Sequence, residues 1–428
     1  MDFRRTHYIK KLDLSMEGKK VIVGGWVEDL RKMGKITFLT LRDVTGIAQV
    51  FLAEDAHKSI EGLTRQSVVR VTGTIQKTKA RDFAFEIKSE KIDILAPAVH
   101  PLPIDPIGRL ESNIDNRLNA RALDMRNQRT AAIFKIRHHV LGSIRKTLTE
   151  KNFFEINTPK IIGSASEGGA NLFALKYFEK EAYLAQSPQL YKEQLTIGLE
   201  RVFEIASFYR AEKSHTGRHL SEFTSVDIEA AFMDYSDVMD VLESLILETF
   251  QYTAQNCKEE QNILGIKIEV ASSPFERITY KQAIEELQKE GVELKVGEDL
   301  QDAHLRSLGK KRPGFYFITD WPLKLKPFYI QEKDNDPTLS ESFDLQYGYL
   351  ELASGGTRVH DPKIIQSRLK EQDLDPAGFA DHLRAFEWGM PPHAGWGLGL
   401  ERLLTVLTKV DNVREVVLYP RDPDRLTP

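Results

Sequence analysis

The sequence predicts an α+β fold of two modules, and three observations carry that reading. An early block shows short alternating strands, a proline-rich break follows it, and helical and strand patterns mix irregularly beyond. The 428 residues suffice for two or three domains at ~150 residues each. Charge follows the same division. Residues 1–100 carry 18 Lys and Arg against 13 Asp and Glu, a net +5, and the rest carries 41 against 50, a net −9. The overall −4 argues weakly against a nucleic-acid partner, but a modular protein places its charge locally, and the first module is basic.

Residues 20–27, 37–41, 48–52, 67–76 and 83–94 are rich in Val, Ile, Phe and Thr, with apolar and polar positions nearly alternating. Turn signals separate them at 33–35 and 43–46. Five strands in about 80 residues fit a small closed barrel of the OB type. Pro97, Pro101, Pro103 and Pro106 then exclude both helix and central strand. The division is a barrel over residues 1–100, a hinge over 101–128, and a second module over 129–428. In that module Ile133, Ile136, Val140, Leu141, Ile144 and Leu148 recur at helical spacing. Residues 201–212 and 219–229 read as two strands joined by a charged loop. Helices are expected over 236–256 and 279–290, and a glycine-repeated turn at 395–399 leads into a buried helix over 400–408. Residues from 256 to about 326 read as an insertion that is at least partly helical.

The single cysteine, Cys257, excludes an intramolecular disulfide and a multi-cysteine zinc site. No apolar run approaches the ~20 residues that span a bilayer. The N-terminus is polar and shows no signal peptide, so a soluble cytoplasmic protein is expected.

Three segments carry chemistry. Residues 153–159, ending on Pro159, read alone as a helix-to-strand junction. Arg210 ends an apolar strand, where an unpaired charge is costly. Either Glu212 or Glu229 neutralises it, or it faces an anionic ligand. Residues 395–403 place Arg402 just inside a helix start beside glycines, a pattern that suits a phosphate and equally suits close packing.

In this order and spacing the three segments resemble the three signature motifs of class II aminoacyl-tRNA synthetases. Residues 164–173, 186–192 and 389–395 narrow the resemblance to aspartyl-tRNA synthetases of the archaeal/eukaryotic type. That family implies an N-terminal OB-fold anticodon domain, a hinge, a catalytic antiparallel sheet flanked by helices, and a homodimer with Pro159 at its interface. It implies two steps. Aspartate attacks the α-phosphate of ATP, and the terminal adenosine of tRNA(Asp) then attacks the aspartyl-adenylate. Such chemistry asks for positioning and charge stabilisation.

The resemblance also implies roles. Arg210 and Arg402 are the catalytic candidates, with Arg210 touching both the α-carboxylate and the α-phosphate. Glu212 meets the adenine. Arg218 and His219 hold the γ-phosphate, beside Leu220. Phe223 stacks on adenine, with Arg402 on its other face or on the γ-phosphate, near Gly399. Glu351 and Ser354 resemble Mg²⁺ ligands, with Asp344 supporting a second ion. Lys192 and Arg358 answer the aspartate side chain, and Glu167, Gln189, Asp227 and Ser354 complete its site. Residues 164–173, with Gly168 and Gly169, resemble a loop that closes over aspartate.

In the barrel, Phe38 is expected to stack on the central anticodon base and Gln49 and Glu86 to read base edges, with Arg31, Lys32 and Lys35 on phosphates. A bland reading makes Phe38 a core residue. Some members of the family also charge tRNA(Asn). The third anticodon position makes that distinction, and the loop residues concerned should lie near Glu28 and Asp82. The alternatives are an asparaginyl-tRNA synthetase, a tRNA-independent amidating enzyme on the same fold, and an inactive RNA-binding paralogue. Lys192 disfavours the first, because a neutral amide could not satisfy a second cation. The barrel disfavours the second, and intact Arg210, Glu351, Arg358 and Arg402 disfavour the third.

Overall fold

The computed structural model describes residues 3–34, 36–53, 60–163, 172–212 and 217–428. It divides into two units, Met1–Ser112 and Asn113–Pro428.

In the first unit, strands β1 (Lys20–Met33), β2 (Ile36–Arg42), β3 (Ile47–Leu52), β4 (Val68–Gln76) and β5 (Glu86–Ala96) close into a barrel of order β1-β2-β3-β5-β4. All pairs are antiparallel except β3 with β5. The alternation in sequence becomes an inside and an outside. Val21, Val23, Leu39, Leu41, Val50, Val69 and Val71 fill the interior and are fully buried. This is the expected OB barrel.

The second unit is built on an eight-stranded sheet. Its strands are β6 (Phe154–Glu155), β7 (Arg201–Tyr209), β8 (Glu222–Ala231), β9 (Glu276–Thr279), β10 (Phe315–Thr319), β11 (Ser342–Tyr347), β12 (Leu350–Thr357) and β13 (His393–Gly399). The order is β9-β10-β11-β12-β13-β8-β7-β6. The centre is antiparallel and both edge pairs are parallel. Helices α1 (Gln128–Glu150), α3 (Tyr235–Asn256) and α4 (Leu400–Thr408) contribute to one large core with this sheet, and α2 (Gln189–Leu199) lies against β7 and β8. Asn127 caps α1 by accepting from the backbone N–H groups of Arg129 and Thr130, and Asp234 and Asp237 form a capping box on α3. Trp396 is fully buried and donates its indole N–H to the Val238 carbonyl at 3.0 Å, tying β13 to α3.

Two expectations need adjustment. Of the stretch read as a hinge, residues from Asn113 on are in the second unit, because Arg117 and Arg121 fasten them to the C-terminal segment. Arg117 reaches Glu415 at 3.0 Å, and Arg121 donates to the carbonyls of Glu415, Val417 and Leu418. The stretch read as an insertion is no appendage. Its helices are present, but it also supplies the edge strand β9 and its neighbour β10, where Phe317 and Ile318 are fully buried. Among the described residues no helix is long and apolar enough to cross a membrane.

Candidate functional site

A cavity of about 330 Å³ opens over the centre of the sheet. Its wall includes Gln189 and Lys192 from α2, Arg210 and Glu212 after β7, and Arg218, His219, Leu220, Phe223 and Asp227 before and along β8. Glu351, Ser354 and Arg358 come from β12 and its end, and Gly399 and Arg402 from the β13–α4 junction. Every candidate for aspartate or ATP named from the sequence is therefore on one wall, except Glu167. Glu167, Gly168 and Gly169 lie outside the described residues.

The floor is a buried charge network. Asp227 and Glu229 are two apart on β8 and so share a face. Lys192 Nζ lies 2.9 Å from Asp227 Oδ1 and 3.5 Å from Glu229 Oε2. Arg358 grips Glu229 with two bonds, Nε to Oε1 at 2.9 Å and Nη2 to Oε2 at 3.3 Å. Burial works against the Arg358 cation, but Glu229 outweighs it and holds the guanidinium above its ordinary range. Asp227 Oδ2 is buried and has no hydrogen-bond partner among the described residues. Glu229 is thus the counter-ion of Arg358 and Lys192 rather than of Arg210. Arg210 instead lies over the Phe223 ring, 5.2 Å from its centroid.

The repeated glycines of β13 have a local cause. Gly395 faces Glu229 and Gly397 faces Asp227 across the ladder. A Cβ on Gly395 would collide with the Ile228 carbonyl oxygen and the Glu229 carboxylate. The glycine therefore makes room for an acid of the neighbouring strand. Gly395→Ala is expected to cost about 1–3 kcal/mol of stability by overpacking and to displace Glu229 from Arg358. Urea denaturation checks the first effect and the affinity of the cavity for its ligand the second.

The outer part of the cavity is basic. Burial, then the Arg402 charge, pushes His219 below its ordinary range, with Arg218 and Arg210 adding and Glu212 opposing. Arg402 Nη1 donates to the Glu351 carbonyl at 2.8 Å. Surrounding protein and then Asp344 push the Glu351 carboxyl up, against Arg402, Lys326 and Arg210. Asp344 itself is buried, absent from the cavity wall, and accepts Lys326 Nζ on both oxygens at 3.0 Å. It acts on the site through Glu351. Two contributions escaped the sequence reading. Glu401 fixes the start of α4 by accepting from Arg137 and from the Thr224 backbone, both at 2.9 Å. Asp302, from the supposed insertion, pairs with Arg218 at 2.6 Å and with Arg306 at 2.8 Å.

On the barrel, Phe38 is half-buried on the outer face beside Phe51, at 5.8 Å between centroids, while Thr37 and Leu39 point inward. It is not a core residue. Gln49 donates to Glu86 at 2.7 Å, and Glu86 also accepts from Gln76 and Thr78. Asp82 is exposed in the turn before β5, and Glu28 pairs with Arg42. Arg31 and Lys32 are exposed, and Lys35 lies outside the described residues.

Residues 113–423 match the class II tRNA synthetases (D, K and N), and residues 21–95 match the OB-fold nucleic acid binding domain. The chain is 46% identical over 433 residues to the aspartate–tRNA(Asp/Asn) ligase of Methanothermobacter thermautotrophicus, covering 100% of this chain and 99% of that one. It is 45% identical to the aspartate–tRNA(Asp) ligase of Thermoplasma acidophilum, covering 98% and 99%. The asparaginyl-tRNA synthetase of Pyrococcus horikoshii, solved with asparaginyl-adenylate, superposes with a TM-score of 0.93 at 33% identity, covering 100% of both chains.

Proposed function

The chain belongs to the class II tRNA synthetases of the D, K and N group, and from that premise we propose that it is an aspartate–tRNA ligase. It joins L-aspartate to ATP as aspartyl-adenylate, then passes the aspartyl group to the 3′-hydroxyl of tRNA(Asp). The observation that carries the choice of amino acid is the cation pair Lys192 and Arg358 on the cavity wall, both at 2% exposure. Glu229 and Asp227 already pair with these cations, but Arg358 holds Glu229 through Nε and Nη2 only, so its Nη1 donors are left for the ligand, where a side-chain carboxylate accepts and the nitrogen of an amide meets donor with donor. Asp227, with its unpartnered Oδ2, and Gln189 receive the substrate ammonium.

Arg210 lies across both reactants. Its planar fork holds the aspartate α-carboxylate near the α-phosphate and meets the charge that grows there as the new bond forms. Phe223 offers a stacking face for adenine, and Arg218, His219 and Arg402 hold the outer phosphates. Glu351 and Ser354 would hold Mg²⁺. Their oxygen donors suit it, and the Glu351 side chain stands 44% exposed on the cavity wall, open to an ion that enters with the substrate. When bound, the ion supplies charge neutralisation to the phosphates. Among the described residues no group of three or more His, Cys, Asp or Glu is arranged to hold a metal, which fits an ion held mainly by substrate phosphates.

Two ATP effects follow. Before ATP binds, burial and then the Arg402 charge favour the neutral form of His219. A triphosphate raises its pKa, so ATP binding takes up a proton below neutrality and tightens as pH falls through that window. Calorimetry of ATP binding at pH 6.5 in buffers of different ionisation enthalpy reads the uptake, and His219→Gln removes it. The γ-phosphate also competes with Asp302 for Arg218. An exposed pair of this kind is worth up to about 1 kcal/mol, so Asp302→Asn strengthens ATP binding by up to about fivefold.

We place the anticodon on the outer barrel face at Phe38, Gln49 and Glu86, with Asp82 at its rim. The M. thermautotrophicus relative is named for both tRNAs, and we extend the reading to tRNA(Asn). A cytoplasmic homodimer is proposed around Pro159, where Phe154 and Ile161 are exposed at 58% and 48%. Pyrophosphate exchange with each amino acid tests the central reading, which asparagine activation exceeding aspartate activation overturns. Charging purified tRNA(Asp) and tRNA(Asn) separately tests the tRNA range.

A further inference from the structure

Behind Gln189 lies a buried cluster that the mechanism above does not use. Glu193, one turn on in α2, is fully buried, as is His393 at the start of β13, and His382 is 2% exposed on the short helix Ala380–Phe386. Glu193 Oε2 faces His382 Nε2 at 3.4 Å and His393 Nε2 at 3.7 Å. The outward partners decide the ring protons. His393 Nδ1 lies 2.8 Å from the Pro391 carbonyl, which only accepts, so Nδ1 carries a proton. A second proton on Nε2 is then needed to face a carboxylate, which makes His393 an imidazolium. His382 Nδ1 faces the Gln194 amide nitrogen at 3.4 Å, a donor, so Nδ1 accepts and the ring proton is on Nε2. Both Nε2 atoms thus face one carboxylate oxygen at ion-pair range, and neither reaches it in a hydrogen bond. Burial alone would raise the Glu193 carboxyl, but the two imidazoles outweigh it and hold it well below the usual range.

The other oxygen, Glu193 Oε1, accepts from Gln189 Nε2. A carboxylate cannot donate, so the nitrogen end of the Gln189 amide must face Glu193. The carbonyl end is left for the cavity, whose wall Gln189 joins. Among the described residues no protein group donates to it.

We propose that Glu193, gripped between His382 and His393, is a positioning residue that fixes the Gln189 amide with its oxygen toward the substrate ammonium. The inference rests on the aspartate ligase reading. Without a carboxylate at 193 the amide has no preferred end, and its amino group can meet an ammonium with donor against donor. His393 supplies the charge that lets Glu193 stay ionised while fully buried.

Pyrophosphate exchange tests this. Glu193→Gln can donate to Gln189 Oε1 and turn the amide round. The KM for aspartate is expected to rise about tenfold or more, as for a lost hydrogen bond to a charged group. The KM for ATP and kcat should stay within about twofold. The swapped pair Gln189→Glu with Glu193→Gln puts at 189 a carboxylate, which has no wrong end, and should recover the aspartate KM to within about threefold of wild type. If Glu193→Gln does not fold, His393→Gln reads the same link, with the aspartate KM raised at least about threefold and the ATP KM unchanged. An unchanged aspartate KM, equal losses in aspartate and ATP KM, or no recovery in the swap overturns the inference. Wild-type protein without aspartate-dependent exchange overturns instead the reading beneath it.

Discussion

Arg358→Met is expected to lower kcat/KM for aspartate by about 10³-fold, because the substrate carboxylate then enters a buried site lacking its two-pronged partner. The variant should also be less stable. Arg358 and Glu229 are both nearly inaccessible, and stripping one member from a buried pair costs about 3–5 kcal/mol. The lower end applies, since Lys192 Nζ remains 3.5 Å from Glu229. The double variant Arg358→Met with Glu229→Gln should regain most of the stability and none of the activity. Urea denaturation and pyrophosphate exchange on the same preparations separate the two effects. Stability lost without activity lost would remove Arg358 from the substrate site.

Arg210→Ala is expected to act on rate. It deletes the group that meets charge developing on the α-phosphate, a loss of about 10²–10³ in kcat. Arg210→Lys should recover little, since a point charge cannot span two oxygens as a planar fork does. Stability should change less than for Arg358→Met, because Glu229, the acid that pairs with Arg358, is not the counter-ion of Arg210. Single-turnover adenylate formation at saturating ATP and aspartate reads the step directly. Background activity, equal in wild type and Arg210→Ala, would favour the inactive paralogue.

Local elements were legible because they depend on neighbours in sequence. The spacing of Ile133, Ile136, Val140 and Ile144 announces α1, and all four face the core. Alternation around Leu39 and Leu41 announces the barrel. Arg210, Lys192 and Arg358 could be named as site residues through their motifs, yet their partners could not. The bond from Arg358 to Glu229 joins positions 129 residues apart, and nothing in either segment names the other. The sequence could offer Glu229 only as a neighbour of Arg210. Strands β9 and β10 were hidden for a related reason. They are short, and their pairing partners lie elsewhere in the chain. His393 stood in a recognised segment, but its meaning depends on Glu193, which carries no motif signal.

The facing of β8 by β13 sets a timetable for biosynthesis. Asp227 and Glu229 leave the ribosome long before Gly397 and Gly395, the residues that sit opposite them. Until β13 and Arg358 have emerged, β8 has an open edge and two acids with Lys192 as their nearest cation. The central layer therefore closes only after residues 393–399 have been made, and a chain cut before residue 393 leaves β8 paired with β7 on one side and open on the other. Such a product is a substrate for chaperones and proteases. The binding floor and the closing of the central sheet are the same event, so the nascent protein gains its ligand site only once β13 has been added.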